Sequence, residues 1–216
     1  MHIAILTFQG FNELDSLIAL GILNRIKKPD WRVTVCSPEA EVTSMNGLTV
    51  RAQSVLEDAA SADAVIVGSG VQTREIANCP TLMSRLSLRP EHQLIASQCS
   101  GTLILAKLGL LAGVPACTDL TTKPWVQEAG VEVLNQPFFA NGNVATAGGC
   151  LASSYLAGWI IARLQGVEAA TAALHYVAPV GEKESYVENA LRNICPYLPQ
   201  VTPNNSFKRN PLIGSA

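Results

Sequence analysis

The segment LIASQCSGTLILAK, residues 94–107, sets Cys99 between a short apolar run and the first turn of an expected helix. A thiol at a helix start feels the positive end of the helix dipole, which favours thiolate and lowers its pKa from the free value of about 8.5. The small neighbours Ser97, Ser100 and Gly101 allow the sharp strand-to-helix turn that presents a nucleophile. Two backbone amides are candidates for holding a developing negative charge: Ser100, directly after the thiol, and Gly70 in the turn VGSGV. The plainer reading is a small residue tolerated at a turn beside an ordinary loop.

The acid expected to serve this thiol is Asp15. It shares a helical stripe with Ile18, Ile22 and Ile26 and so faces inward, whereas Glu13 lies across the helix beside Asn24. A carboxyl group in an apolar site has a raised pKa and, once protonated, donates a hydrogen bond to a thiolate. The spacing equally allows Asp15, three residues after Asn12, to reach back as a capping-box partner. Cys150, directly after Gly148 and Gly149, is a candidate for lining the same pocket or, alternatively, a small buried residue at a tight turn.

These residues need a scaffold. HIAILTF reads as a strand, followed by a helix from Asn12 to about Lys27 that Pro29 ends; WRVTVCS is a second strand. EVTSMNGLTVRAQ carries the Asn46-Gly47 signal of a tight hairpin. ADAVIVGSG and QLIASQ are short apolar strands, the second leading through the cysteine into SGTLILAKLGLLAG. VPACTD is predicted as a further strand, and TTKPWVQEAG as a short helix capped by Thr121 or Thr122. FFANGNVATAGG is a hairpin turning at Asn141-Gly142, and two or three helices follow from about Cys150 to Cys195. Apolar strands alternating with helices predict an α/β fold, a doubly wound, mostly parallel sheet sandwiched by helices. The expected organisation is one domain over 1–198 with a flexible C-terminal tail over 199–216.

Composition narrows the function classes. With 15% charged residues and a formal net charge of -2, the chain lacks the basic footprint of a nucleic-acid binder. No apolar run reaches membrane-spanning length, and MHIAILTF enters a strand directly, without a basic leader, so the expectation is a cytoplasmic protein. The six cysteines are scattered without C-x-x-C spacing, which predicts reduced thiols and no metal. Cys36, Cys117 and Cys195 read as small buried hydrophobes.

ILTFQGFNELDSLIALGIL, ADAVIVGSG, SQCSGTLILAKLGLLAG and NGNVATAGG occur in the order in which the ThiJ/PfpI superfamily carries its motifs. The chain resembles that superfamily, of the class I glutamine amidotransferase-like, flavodoxin-like fold, over residues 1 to about 195, and most resembles the isonitrile hydratase branch. The resemblance puts the family's elbow cysteine on Cys99, its helix-one acid on Asp15 and its oxyanion amides on Gly70 and Ser100. It implies a small-molecule substrate, no cofactor, and a homodimer with the first helix near the interface. Where many relatives carry a histidine after the strand VPACT, this chain has Asp119, a candidate for the pocket; His2, His92 and His175 lie elsewhere. The leading expectation is therefore a cysteine-nucleophile lyase or hydrolase hydrating an isonitrile to an N-substituted formamide. Glyoxalase- or deglycase-like activity and a non-enzymatic, redox-responsive dimer are the alternatives.

Overall fold

The computed structural model describes residues 1–199, so the tail expected over 199–216 lies outside the described residues apart from Pro199. In chain order the elements are β1 (His2–Leu6), α1 (Glu13–Leu23), β2 (Arg32–Ser37), β3 (Glu41–Thr43), β4 (Thr49–Arg51), β5 (Ser54–Val55), β6 (Ala64–Val67), α2 (Thr73–Ala77), α3 (Pro80–Met83) and β7 (Leu94–Gln98). There follow α4 (Gly101–Lys107), α5 (Lys123–Glu128), β8 (Phe138–Asn141), β9 (Val144–Ala147), α6 (Ser153–Gln165), α7 (Val167–Val177) and α8 (Lys183–Ile194).

Seven strands form one sheet in the order β5-β2-β1-β6-β7-β9-β8, parallel except for the β8–β9 hairpin. The central strands β1, β6 and β7 are buried along their whole length, which is why they read as unbroken apolar runs. Alternate residues feed opposite layers. Ile3 and Ile5 join Ala19, Leu23, Trp159 and Ile160 of α1 and α6, whereas Ala4 and Leu6 join Ile76, Leu103 and Ile104 of α2 and α4. The expected doubly wound, helix-covered sheet is therefore what forms, and the ends of β1, β6 and β7 open side by side.

Three local expectations need correction. α1 ends at Leu23, short of Lys27. Side chains take over its last carbonyls: Asn24 Nδ2 donates to Leu20 O (2.9 Å), Arg25 Nε to Gly21 O (3.1 Å) and Trp31 Nε1 to Leu23 O (2.9 Å). VPACTD is not a strand; Ala116 makes a single parallel bridge with Val133. Neither Thr121 nor Thr122 caps α5 with its side chain; Asp119 Oδ1 accepts the amides of Thr121 and Thr122 at 2.9 Å each. Both predicted hairpins, β3–β4 and β8–β9, form with their glycines at positive φ.

Candidate active site

Cys99 follows β7 directly, with φ +45°, and is the one non-glycine residue at positive φ among the described residues. Holding a side-chain-bearing residue there costs about 1–3 kcal/mol, so the surroundings must impose it. They do so on both sides of the residue: its amide donates to Ala147 O (2.8 Å), and its carbonyl accepts from Thr118 Oγ1 (2.7 Å) and from the amide of Thr102 (3.2 Å). The turn is tight because Gly101 passes against β6; a Cβ there would lie 2.4 Å from Val67 O.

Asp15 enters from α1 and is fully buried. Asn12 Oδ1 caps the helix by accepting from Leu14 N (3.1 Å), and the Asp15 carboxylate turns away from the cap, accepting from the hydroxyls of Ser69 and Ser16. The inward reading holds and the capping-box alternative falls. Burial raises the Asp15 pKa from 3.8 to about 6, against the pull of Ser69, Ser16 and Cys99.

The Asp15 carboxylate, Cys99 Sγ and Cys150 Sγ lie within 4.8 Å of one another. Such a carboxylate and two sulfurs are also donors of the kind that bind a soft divalent ion, and among the described residues this trio has the spacing for one. The thiol of Cys99 is pushed up, first by burial and then by the charge of Asp15, contrary to the lowering expected from a helix terminus. The reason is local. α4 is short, Cys99 is 4% exposed, and Gln98 Nε2 at 3.4 Å is the hydrogen-bond donor its sulfur receives. Burial and the neighbouring carboxylate thus both work against a thiolate at Cys99, while the hydroxyls of Ser69 and Ser16 meet the charge of Asp15.

The candidate amides differ from one another. Gly70 N donates to Ser100 Oγ (3.1 Å), and that hydroxyl also contacts Thr73 Oγ1 (2.8 Å), so this amide is occupied from within the protein. The amide of Ser100 has no acceptor among the described residues. Gly70 is required for another reason: a Cβ there would sit 2.5 Å from Gly10 O.

Cys99, Ser100, Gly70, Asp119 and Cys150 line one cavity of about 400 Å³, together with Asn12, Ser69, Met45, Val71, Thr121, Thr122 and Trp125. All of these sequence candidates thus meet, with Asp15 beneath the sulfur. A larger cleft of about 620 Å³ lies beyond Asp119 and Gly148–Gly149 but does not reach Cys99. No histidine lines the cavity. His2 is bonded to Thr34 Oγ1 in the sheet (2.7 Å), and His175 lies on the surface 3.8 Å from Glu184. Of the cysteines read as inert, Cys36 and Cys117 are buried, but Cys195 is exposed.

Sequence reading missed Gln98, Ser153 and the second role of Asn12. Gln98 Nε2 reaches both Cys99 Sγ and Gly149 O (2.9 Å), while Asn12 Nδ2 donates to Cys150 Sγ (3.2 Å). The hydroxyl of Ser153 donates to the carbonyl of Asp15 (2.6 Å), tying α1 to the start of α6. A buried amide ending a strand was the available signal for Gln98; nothing local marked Ser153.

Known proteins are similar to this chain in sequence and in fold. Isonitrile hydratase of Pseudomonas putida is 26% identical over 172 residues, 79% of this chain and 75% of that protein. A deglycase of Thermococcus kodakarensis is 27% identical over 148 residues, 66% of this chain and 87% of that protein. Among solved structures, Drosophila melanogaster DJ-1beta superposes with a TM-score of 0.71 at 21% identity, covering 82% of this chain and 96% of that one. A ThiJ/PfpI family protein from Pseudomonas syringae gives 0.72 at 18% identity, covering 90% of this chain and 87% of that one. The DJ-1/PfpI family pattern matches residues 1–163, well over half of the sequence, and the chain belongs to the DJ-1/PfpI family.

Proposed function

We propose that the protein is a cofactor-free enzyme that uses Cys99 as nucleophile on a small electrophile, with hydration of an isonitrile to an N-substituted formamide as its reaction. The observation that carries this reading is the fully buried Asp15 carboxylate within 4.8 Å of Cys99 Sγ at the floor of a cavity of about 400 Å³. Resemblance to an isonitrile hydratase at 26% identity supports the choice of substrate class.

The resting state is a thiol beside a carboxylate, so Asp15 acts first as general base. As Cys99 Sγ attacks the terminal carbon, Asp15 takes the thiol proton and returns it to that carbon, leaving a thioimidate with a new S–C bond. Water then adds across the C=N bond, one hydrogen reaching nitrogen and the hydroxyl reaching carbon. Collapse breaks the S–C bond, the hydroxyl proton returns to sulfur by way of Asp15, and the formamide leaves. The Ser100 amide, on a residue that lines the cavity, is the donor for the polar transition states, since the Ser100 hydroxyl is engaged by Gly70 and Thr73. The apolar walls of Met45, Val71 and Trp125 suit an alkyl or aryl substituent.

Incubation with a panel of alkyl and aryl isonitriles, with formamide followed by chromatography, tests the proposal. Turnover by the wild type that disappears in Cys99→Ala is expected; no turnover, or equal turnover by the variant, overturns it. The similarity to a deglycase makes methylglyoxal the comparison substrate. The absence of a histidine among the cavity-lining residues favours the isonitrile, whose hydration needs no separate base for a leaving group.

The same reading includes a homodimer joined through α1 and the β3–β4 hairpin, in a cytoplasmic, single-domain protein. In support, Leu14 and Leu17 on α1 and Met45 and Leu48 in the hairpin expose apolar surface, and the hairpin turn is tied to the segment leading into α1, since Met45 N donates to Phe11 O (2.8 Å). No described helix is long and apolar enough to cross a membrane. Light scattering on the eluting protein reads the assembly: a dimer mass is expected, and a monomer mass at micromolar concentration rejects it.

A further inference from the structure

Cys150 is unaccounted for by the hydration chemistry, yet it is the second sulfur of the site. We propose that Cys99 and Cys150 form a reversible disulfide when the protein meets a hydroperoxide, with Cys150 as the thiol that resolves oxidised Cys99.

Three observations carry the pairing. The two sulfurs lie within 4.8 Å of each other, so rotation about their side-chain bonds must bring them to about 2.0 Å, the length of the bond. Gln98 clamps the two segments together: its amide reaches Cys99 Sγ (3.4 Å) and the carbonyl of Gly149, the residue before Cys150 (2.9 Å). Asn12 Nδ2 meets Cys150 Sγ at 3.2 Å, a donor placed to steady a thiolate as it forms. Access is also built in. Cys150 lines both the cavity that holds Cys99 and a second cleft, with Pro137, Tyr155 and Tyr186. The remaining cysteines are not part of this group.

The step balances. Cys99 gives its proton to Asp15, and its sulfur attacks one peroxide oxygen, breaking the O–O bond; the other oxygen leaves as water or alcohol, and Cys99 becomes a sulfenic acid. Cys150 Sγ then attacks the sulfenic sulfur, the S–O bond breaks, and the Cys150 proton leaves with the hydroxide as water. Overall two thiols are oxidised and one hydroperoxide is reduced. Two equivalents of a small thiol restore both cysteines. Without Cys150, a second peroxide carries the sulfenic acid to sulfinic acid, which small thiols do not reverse.

The inference rests on Cys99 being the reactive thiol of the proposed enzyme, but the two readings fail separately. Reduced protein is exposed to hydrogen peroxide, its free thiols are alkylated, and it is digested without reductant for mass spectrometry. The expected result is a peptide pair linked through Cys99 and Cys150, lighter by two hydrogens and released by dithiothreitol. In Cys150→Ser, Cys99 is expected to gain two oxygens that dithiothreitol does not remove. A wild-type Cys99 that goes directly to sulfinic acid, a linkage to another cysteine, or sulfinic acid in equal yield with and without Cys150 overturns the inference, whatever the isonitrile assay gives. The wild-type map decides the matter even if the variant fails to fold.

Discussion

Cys99 and Cys117 are two buried thiols in contrasting surroundings. Both are buried, and burial pushes both pKa values up, that of Cys117 to about 12. Cys117 sits in a packed wall: its amide donates to Thr146 Oγ1 (2.8 Å), its carbonyl accepts from Thr102 Oγ1 (2.9 Å), and it lines none of the cavities around the site. Cys99 opens on a cavity and has a carboxylate and a second sulfur within 4.8 Å. The difference teaches that an elevated thiol pKa does not separate the packed thiol from the one proposed as nucleophile. What separates them is a base within reach and room for a substrate.

The sharpest break of this contrast is Cys99→Ala, for which isonitrile turnover is expected to fall by at least about 10³-fold, measured as initial rate of formamide release. Next comes Asp15→Asn, which keeps the shape and removes the base, with a loss of about 10²–10⁴-fold in kcat. The same variant is expected to be more stable than wild type. The Asp15 pKa is raised from 3.8 to about 6 in the folded state, so the folded chain binds more protons in that window and wild-type stability declines as pH rises through it. Above about pH 6 the full deficit, about 3 kcal/mol, is removed by the substitution, and below 3.8 the advantage disappears. Urea unfolding at pH 3.5 and pH 7.5 reads both ends.

A smaller effect is the pH profile of the wild type. Because the ionised carboxylate is the working form, kcat/KM is expected to rise with pH and level off above an apparent pKa of about 6. A profile that instead rises only near the ordinary thiol pKa would transfer the base role away from Asp15. Smallest of all, Cys117→Ala should leave turnover within about twofold and cost about 1 kcal/mol of stability. Iodoacetamide on the native protein should label Cys99 and spare Cys117; the reverse order would erase the distinction.

Much of the fold was legible because the central strands are buried on both faces and read as continuous apolar runs, while Asn46-Gly47 and Asn141-Gly142 announce their hairpins. VPACTD misled for the same reason: a short apolar run looks alike whether it pairs along its length or makes a single bridge. Thr121 and Thr122 misled because no side chain caps α5; the Asp119 carboxylate instead takes the amides of both threonines in the turn before the helix.

The sequence alone determined that a thiol sits where strand turns to helix and that the sheet is mostly parallel, since each follows from local spacing, and it left Asp15 open between an inward and a capping position. Only the tertiary structure decided where the site's charge rests. Cys99, Asp15 and Cys150 come from three distant segments, and the balance among them depends on burial and on the hydroxyls of Ser69 and Ser16. Desolvation is a property of the assembled interior, and it outweighed the helix-end effect that the local sequence suggested.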